Sequence, residues 1–328
     1  MATQNYTSIS AVLQSQAFKD YVSEAIVAKN NFINSGIAYT SPELSALISN
    51  DRSMIVEMPF WKPFSGDSAP MSESAMDVSA MTGAGQVAVK LLRQKAVGFT
   101  DLAQIASGDN LTKVIGNQIV NYWNHEIQKI VISELTGLFA NGGALASSHL
   151  MNKSNEVISS QAILDAKQLL GDSADNLTAI VMHSAVKTKL EKLQLIQYVS
   201  DATNTAVRFP TYMGYRVIID DSCPVNNGVY DTYIFGNGAF GIGLGNQAGV
   251  IEYETARDAL SSKEAIITRK ALIVHPYGLK YKGQDITSTS TPTNANLATA
   301  NKWQKVYENK NIAIVCLRSR IEQGEESS

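Results

Sequence analysis

The stretch SMIVEMPFWKPFSGDSAPMSESAMDVSAMTGAGQVAVKLLRQKAVGFT, residues 53–100, decides how the chain folds. SMIVEMPFWKPF (53–64) reads as a strand, and GQVAVKLLRQKAVGFT (85–100) reads as a second one. The segment between them is rich in Ser, Ala, Gly, Asp and Met. Loops longer than about 12–15 residues are uncommon inside compact domains and tend to serve a function. A hairpin this long cannot bury its own apolar side chains. Phe60, Trp61 and Phe64, with Met71, Met76 and Met81, need a surface to lie on. Its charge is split: Glu57, Asp67, Glu73 and Asp77 lie on the outgoing side and tip, opposed there by Lys62, whereas Lys90, Arg93 and Lys95 lie on the return. The hairpin therefore reads as an arm reaching to another molecule, ahead of an ordinary surface flap.

The strongest helical signal follows directly. Leu111, Ile115, Ile119, Tyr122, Trp123, Ile127, Ile130, Glu134 and Leu138 step by three or four. Asp109 is the expected N-cap and Asn141-Gly142-Gly143 the stop, which gives a spine roughly 45 Å long. Gly116 and Gly137 are expected to weaken or bend it. Upstream, apolar residues from Leu13 to Ile26 predict a helix over 11–27, and residues 28–50 lose any clear period, so 1–50 reads as an arm. Downstream come a helix at 159–170, the strand LTAIVMHS, the helix AVKTKLEKLQLI, and the strands YRVIIDDSCPV and VYDTYIFG. After the Gly-rich GNGAFGIGLG, two strands meet at a turn in SSK (261–263). Residues 286–301 carry no charge and read as a polar excursion before the closing strand NIAIVCLR.

Composition narrows the function. Only 17% of the 328 residues are charged, against about 25% in an ordinary soluble domain. A charge-poor polar surface suits a protein whose surface is given over to other subunits. The net charge of −3 gives no basic excess to neutralise phosphates. Cys223 and Cys316 make neither a metal spacing nor a disulfide framework, so the chain reads as intracellular. The N-terminus is no signal peptide, and no apolar run approaches the ~20 residues that span a bilayer.

Enzymatic motifs fail on their physical requirements. HEIQK (125–129) has Lys129 where a zinc helix needs its second histidine, so His125 reads as a packing or surface residue. Gly236, Gly238 and Gly241 spell G-x-G-x-x-G after a strand, the one dinucleotide-like match. A cofactor site would need a helix next, to aim its N-terminus at the pyrophosphate. IGLGNQAGVIEYE has no helical pattern, so a tight backbone passage is the better reading. Asp220-Asp221 before Pro224 reads as a turn rather than as metal ligands. No catalytic, cofactor or metal residues are assigned.

The order of these features carries a resemblance. The long hairpin, the spine helix, IVMHSAVKTKLEKLQLI, YMGYRVIIDDSCPV, TYIFGNGAFGIG and the ETARD strand ending in HPYGLKY follow one another across nearly the whole chain. Gly214–Pro224, Tyr233–Gly243 and Glu254–Lys280 are the most specific stretches. This order is similar to that of tailed-bacteriophage major capsid proteins with the Hong-Kong-97-type fold. The resemblance implies an α+β architecture in four parts: an N-terminal arm at 1–50, an E-loop hairpin at 51–100, a peripheral domain at 101–157 and 241–285, and an axial domain at 158–240 and 286–328. It implies a structural protein, not an enzyme, that assembles with itself into the pentamers and hexamers of an icosahedral head. Such a head encloses double-stranded DNA without reading its sequence, and is built in the host bacterial cytoplasm. It implies a separate scaffolding protein, a portal, and decoration or cement proteins as further partners, with no cofactor and no membrane. The residues expected at subunit contacts are Trp61, Phe64 and Met71 as apolar hairpin groups, Lys90 and Arg93 as charged ones, and Arg257 with Asp258 in the peripheral domain. Some relatives cross-link their shells through a Lys–Asn bond; the hairpin offers Lys62, and the sequence identifies no partner asparagine. An encapsulin-type compartment shell shares the fold and is the alternative, with a dinucleotide-dependent enzyme as the alternative of another class.

Overall fold

A computed structural model describes residues 32, 35–50, 53–64, 66–68, 70–71, 78, 80–107, 110–200, 208–245, 247, 249–283 and 291–322. In chain order the elements are β1 (Ala38–Thr40), α1 (Pro42–Asn50), β2 (Ile55–Trp61), β3 (Gly83–Thr100), α2 (Asp101–Ser107), α3 (Leu111–Phe139) and β4 (Leu150–Val157). Next come α4 (Ser160–Gln168), β5 (Leu177–Met182), α5 (Ser184–Lys192), β6 (Gln197–Ser200), β7 (Arg208–Tyr212), β8 (Tyr215–Ile219), β9 (Val225–Asn226) and β10 (Val229–Gly236). The chain closes with β11 (Phe240–Gly245), β12 (Tyr253–Asp258), β13 (Lys263–Pro276), β14 (Leu279–Tyr281), α6 (Asn294–Leu297), β15 (Trp303–Lys305) and β16 (Ile314–Arg320).

These strands form two eight-stranded sheets. The first runs β1-β11-β13-β3-β14-β15, with β12 beside β13 and β2 beside β3. The second runs β4-β16-β10-β5-β8-β7-β6, with β9 on β10. The spine helix α3 joins them. Ile127, Ile130, Leu135 and Leu138 belong to one buried cluster that also holds Val89, Leu91 and Leu272 of the first sheet and Tyr233, Phe235 and Cys316 of the second. The second sheet's opposite face is covered by α4 and α5, where Ile163 and Val186 cluster with Ile180, Ile234 and Leu317. With both faces covered, its central strands are near-continuous apolar runs, as TAIVM and TYIFG are.

Strand β3 holds the architecture together. Its first half pairs antiparallel with β2, from Ile55↔Val89 to Trp61↔Gly83, and its second half pairs with β13, from Lys263↔Thr100 to Ile273↔Lys90. One continuous backbone therefore carries the hairpin into the sheet. The spine helix ends as its sequence predicts: Gly142 takes φ +78, and Leu145 N donates to Leu138 O. Asp109, the helix expected over 11–27, and Glu73, Met76 and Asp77 fall outside the described residues.

Two expectations change. Residues 28–50 are not all arm. β1 pairs in parallel with β11, and Ile37, Ala38, Leu44 and Ile48 are buried. Second, the boundary at residue 157 moves. β4 pairs with β16 and so joins the second sheet, while β15 joins the first through β14. Gly236–Gly241 leads into a strand, β11, and not a helix, in keeping with the absence of a helical pattern in its sequence. A Cβ on Gly243 would come within 2.9 Å of Leu44, so the glycine row is what lets α1 lie directly on β11.

Candidate assembly surfaces

The hairpin's sequence sorts its side chains by position. Near its base, Gln86 on β3 is buried and anchors three segments at once. Its Oε1 accepts from Gly278 N (2.7 Å) and lies 3.3 Å from His275 Nε2, while its Nε2 donates to Tyr307 Oη (2.7 Å). Burial pushes His275 down to about 3, so the ring stays neutral in this contact at physiological pH. Phe60 meets Tyr307 edge-on at 4.7 Å. Beyond this base the described residues leave the hairpin's large apolar side chains mostly uncovered. Trp61 is 67% exposed, Phe64 76%, and Met71 is wholly exposed. Trp61 and Phe64 flank a cleft of about 660 Å³ that is closed on its other side by Tyr307 and Glu308.

The expected charged contacts need correction. Lys90 is completely buried and cannot meet a neighbouring molecule. It lies where β3 passes from β2 to β13, with its N–H bonded to Met54 O on one side and Ile273 paired with it on the other. Arg93 is committed within its own chain. Its guanidinium donates to Pro292 O (2.6 Å), Asn294 Oδ1 (3.1 Å) and Thr291 Oγ1 (3.4 Å). Thr291 Oγ1 also bonds both the N–H and the carbonyl of Leu92, and Asn294 Nδ2 donates to Glu126 on α3 (3.1 Å). The described end of the polar excursion is thus a strap that ties β3 to the spine helix. Arg257 remains on the exposed strand β12 but pairs with Asp101 (2.7 Å) and Glu264 (3.6 Å). Asp258 accepts from Leu260 N and from the Ser261 hydroxyl, closing the β12–β13 turn. Beside that turn, sequence reading missed Leu102, Ile105 and the fully exposed Leu260. Asp101 N donates to Ser262 O and brings α2 alongside them. The signal was apolar residues at the end of a segment read as strand and in 101–108, to which the sequence reading assigns no element.

Chemistry-bearing residues serve the fold. Asp220 accepts from Gln128 Nε2 (2.6 Å) and Ser222 N, and Asp221 accepts from Ser184 N at the start of α5. Among the described residues, no three His, Cys, Asp or Glu side chains are grouped to hold a metal ion, and no helix is long and apolar enough to cross a membrane.

One buried carboxyl sets a pH dependence. Glu134 on α3 is fully buried, neither oxygen has a hydrogen-bond partner, and burial raises its pKa well above the usual carboxylate range. The unfolded chain ionises at the ordinary value. Glu134 therefore favours the fold below that value and loses this contribution as pH climbs toward the raised one. Glu134→Gln removes the ionisation. The variant's stability advantage over the wild type is expected to grow by about 1–3 kcal/mol between about pH 5 and about pH 8. Urea unfolding of the unassembled subunit at both pH values checks this.

A two-sheet body joined by one spine helix, with a projecting hairpin and a covered second sheet, is the α+β Hong-Kong-97-type capsid fold. The chain is similar to the capsid of cyanophage Pam1, with a TM-score of 0.60, 10% identity, and coverage of 95% of this chain and 97% of that one. It is likewise similar to a subunit of the head of Helicobacter pylori bacteriophage KHP40, with a TM-score of 0.56, 13% identity and 98% of both chains covered. More specifically, the chain belongs to the Gp13-like family of major capsid proteins, whose model matches residues 60–316. It is 38% identical over 325 residues to the major capsid protein of Bacillus phage SPP1, which covers 97% of this chain and 99% of that protein.

Proposed function

We propose that this chain acts without catalysis as the repeating unit of an icosahedral phage head, closing into pentamers and hexamers around double-stranded DNA. The observation that carries the reading is the hairpin. Its Trp61, Phe64 and Met71 side chains are mostly uncovered by the described residues of their own chain, and a second copy supplies that cover. Heterologous contacts of this kind close into rings, and several moderate contacts per subunit make closure cooperative. In this reading the residues before β1 form the N-terminal arm and β2 with the first half of β3 forms the E-loop. The first sheet with α2 and α3 forms the peripheral domain, and the second sheet with α4 and α5 forms the axial domain. Assembly takes place in the host cytoplasm with a separate scaffolding protein, a portal, and decoration proteins. Trp61, Phe64 and Met71 are the hairpin contacts, joined at the peripheral tip by Leu260 and Ile105.

The double variant Phe64→Asp, Met71→Asp tests this. Both side chains are exposed, so the subunit is expected to keep its unfolding midpoint, since surface changes stay within about 0.5 kcal/mol. Particle formation, read by sedimentation and electron microscopy, is expected to be lost. Normal particles from this variant would remove the hairpin from assembly. DNA recovered from nuclease-treated wild-type particles separates a phage head from a cargo compartment.

A further inference from the structure

An open sheet edge invites another strand, and proteins that must stay apart blunt such edges. Most edges here are blunted. β1 and β15 are three residues long and β6 is four. The β2 edge carries Pro59: Lys90 N donates to Met54 O, and that alternation turns position 59 outward, where proline has no N–H to offer. On β4, Ser154 N is taken by Asn152 Oδ1 and Ser154 O by Arg320 Nε. β12 carries charges of both signs, Glu254, Arg257 and Asp258, but no proline, no bulge and no side chain capping its outer backbone groups among the described residues. All six of its residues are exposed.

The ladder also fixes which groups are on offer. Arg269 N donates to Glu252 O, so Glu252, Glu254, Ala256 and Asp258 are the positions bonded to β13. The N–H and C=O groups of Tyr253, Thr255 and Arg257 then point away from the sheet.

We infer that β12 pairs antiparallel with β12 of a second copy, about a two-fold axis through Thr255, extending the first sheet across the contact. The inference rests on the shell-building reading. In an antiparallel pair, opposed residues must share a face and an edge orientation. Centring on Thr255 meets both conditions: Thr255 faces its own counterpart, and Tyr253 faces the partner's Arg257 twice. Each pair sets a guanidinium beside an aromatic ring, a favourable cross-strand contact. Both this centre, with Glu252 against Asp258, and the alternative on Ala256, with Glu254 against Asp258, oppose two carboxylates; the choice rests on the backbone, because the Ala256 centre offers groups already used by β13. The antiparallel arrangement also brings Ile251 at one end of β12 beside Leu260 at the other end of its counterpart. Both are exposed apolar residues in the single chain.

Two variants of the full chain test this. Thr255→Pro removes an outward N–H and leaves every bond to β13 in place. It is expected to fold with an unchanged unfolding midpoint and to raise the subunit concentration needed for particles by about tenfold or more. Thr255→Cys places two thiols across the axis, where opposed Cα atoms lie about 5.5 Å apart, within disulfide range. Cys223 and Cys316 are buried and do not compete. Mild oxidation of Thr255→Cys particles is expected to give a dimer-mass band on a non-reducing gel. Monomer-only bands from particles visible by electron microscopy, or wild-type assembly of the proline variant, overturn the pairing and leave the shell reading intact. Failure of the wild-type chain to form particles overturns the shell reading itself.

Discussion

Arg318→Met is expected to lower the unfolding free energy of the unassembled subunit by about 3 kcal/mol, because it strands a buried carboxylate. Arg318 on β16 grips Asp231 on β10 with two parallel bonds, Nε to Oδ1 at 2.7 Å and Nη2 to Oδ2 at 2.9 Å. The Asp231 side chain is only 10% exposed, so solvent cannot replace the guanidinium. The same Nη2 also reaches Phe139 O at 3.4 Å, at the C-terminus of the spine helix, where a cation offsets the exposed carbonyls. One side chain thus pins the second sheet to the end of the helix that joins it to the first. Adding Asp231→Leu to Arg318→Met is expected to recover part of the loss, since an empty pair costs less than half a pair. Urea unfolding of wild type, single and double variants measures both effects. A single-variant loss below about 1 kcal/mol would show the pair to be solvated.

Gly137→Ala is also expected to destabilise the subunit, and Gly116→Ala in the same helix to act in the opposite direction. Alanine gains about 1 kcal/mol of helix propensity over glycine at either position. At Gly116 a Cβ meets nothing within 4 Å, so that gain stands. At Gly137 a Cβ would lie 2.3 Å from Leu297 O, 3.0 Å from Ala298 C and 3.1 Å from Trp303 Nε1. That wall is backbone fixed by the Trp303 Nε1 bond to Leu297 O (2.8 Å), so it cannot yield as a flexible side chain would. The overpacking cost, about 1–3 kcal/mol or more, outweighs the propensity gain. Thermal melts of the two variants are expected to bracket the wild type. A stabilised Gly137→Ala would mean that the strap moves aside without cost.

Legibility followed the range of the interaction. The spine helix, α4, α5 and the central strands could be read in place, because their apolar periods are local and the tertiary structure agrees with them. Ser159 caps α4 through Ala162 N, at the start of the range read as that helix. The hairpin was legible as well, through the absence of any local way to bury Trp61, Phe64 and Met71. The misreadings involved residues whose partners lie far along the chain. Arg93 looked like a free surface charge until residues 291–294 folded back onto it. Gly137 looked like a helix defect, yet it is a contact with Leu297. Residues 37–48 looked like arm because their partner strand, β11, lies some two hundred residues on.

The sequence by itself determined the hairpin, the spine helix, the two shorter helices and the central strands, in their order, since periodicity and motif spacing are properties of neighbouring residues. Together these define a subunit built to meet its own copies. Only the tertiary structure decided which charges are spent inside the chain, which glycines are close contacts, and that β12, among the described longer edges, has neither a proline nor a capped outer backbone. Strand pairing fixes which backbone groups remain free, and pairing is set by residues far apart in the chain.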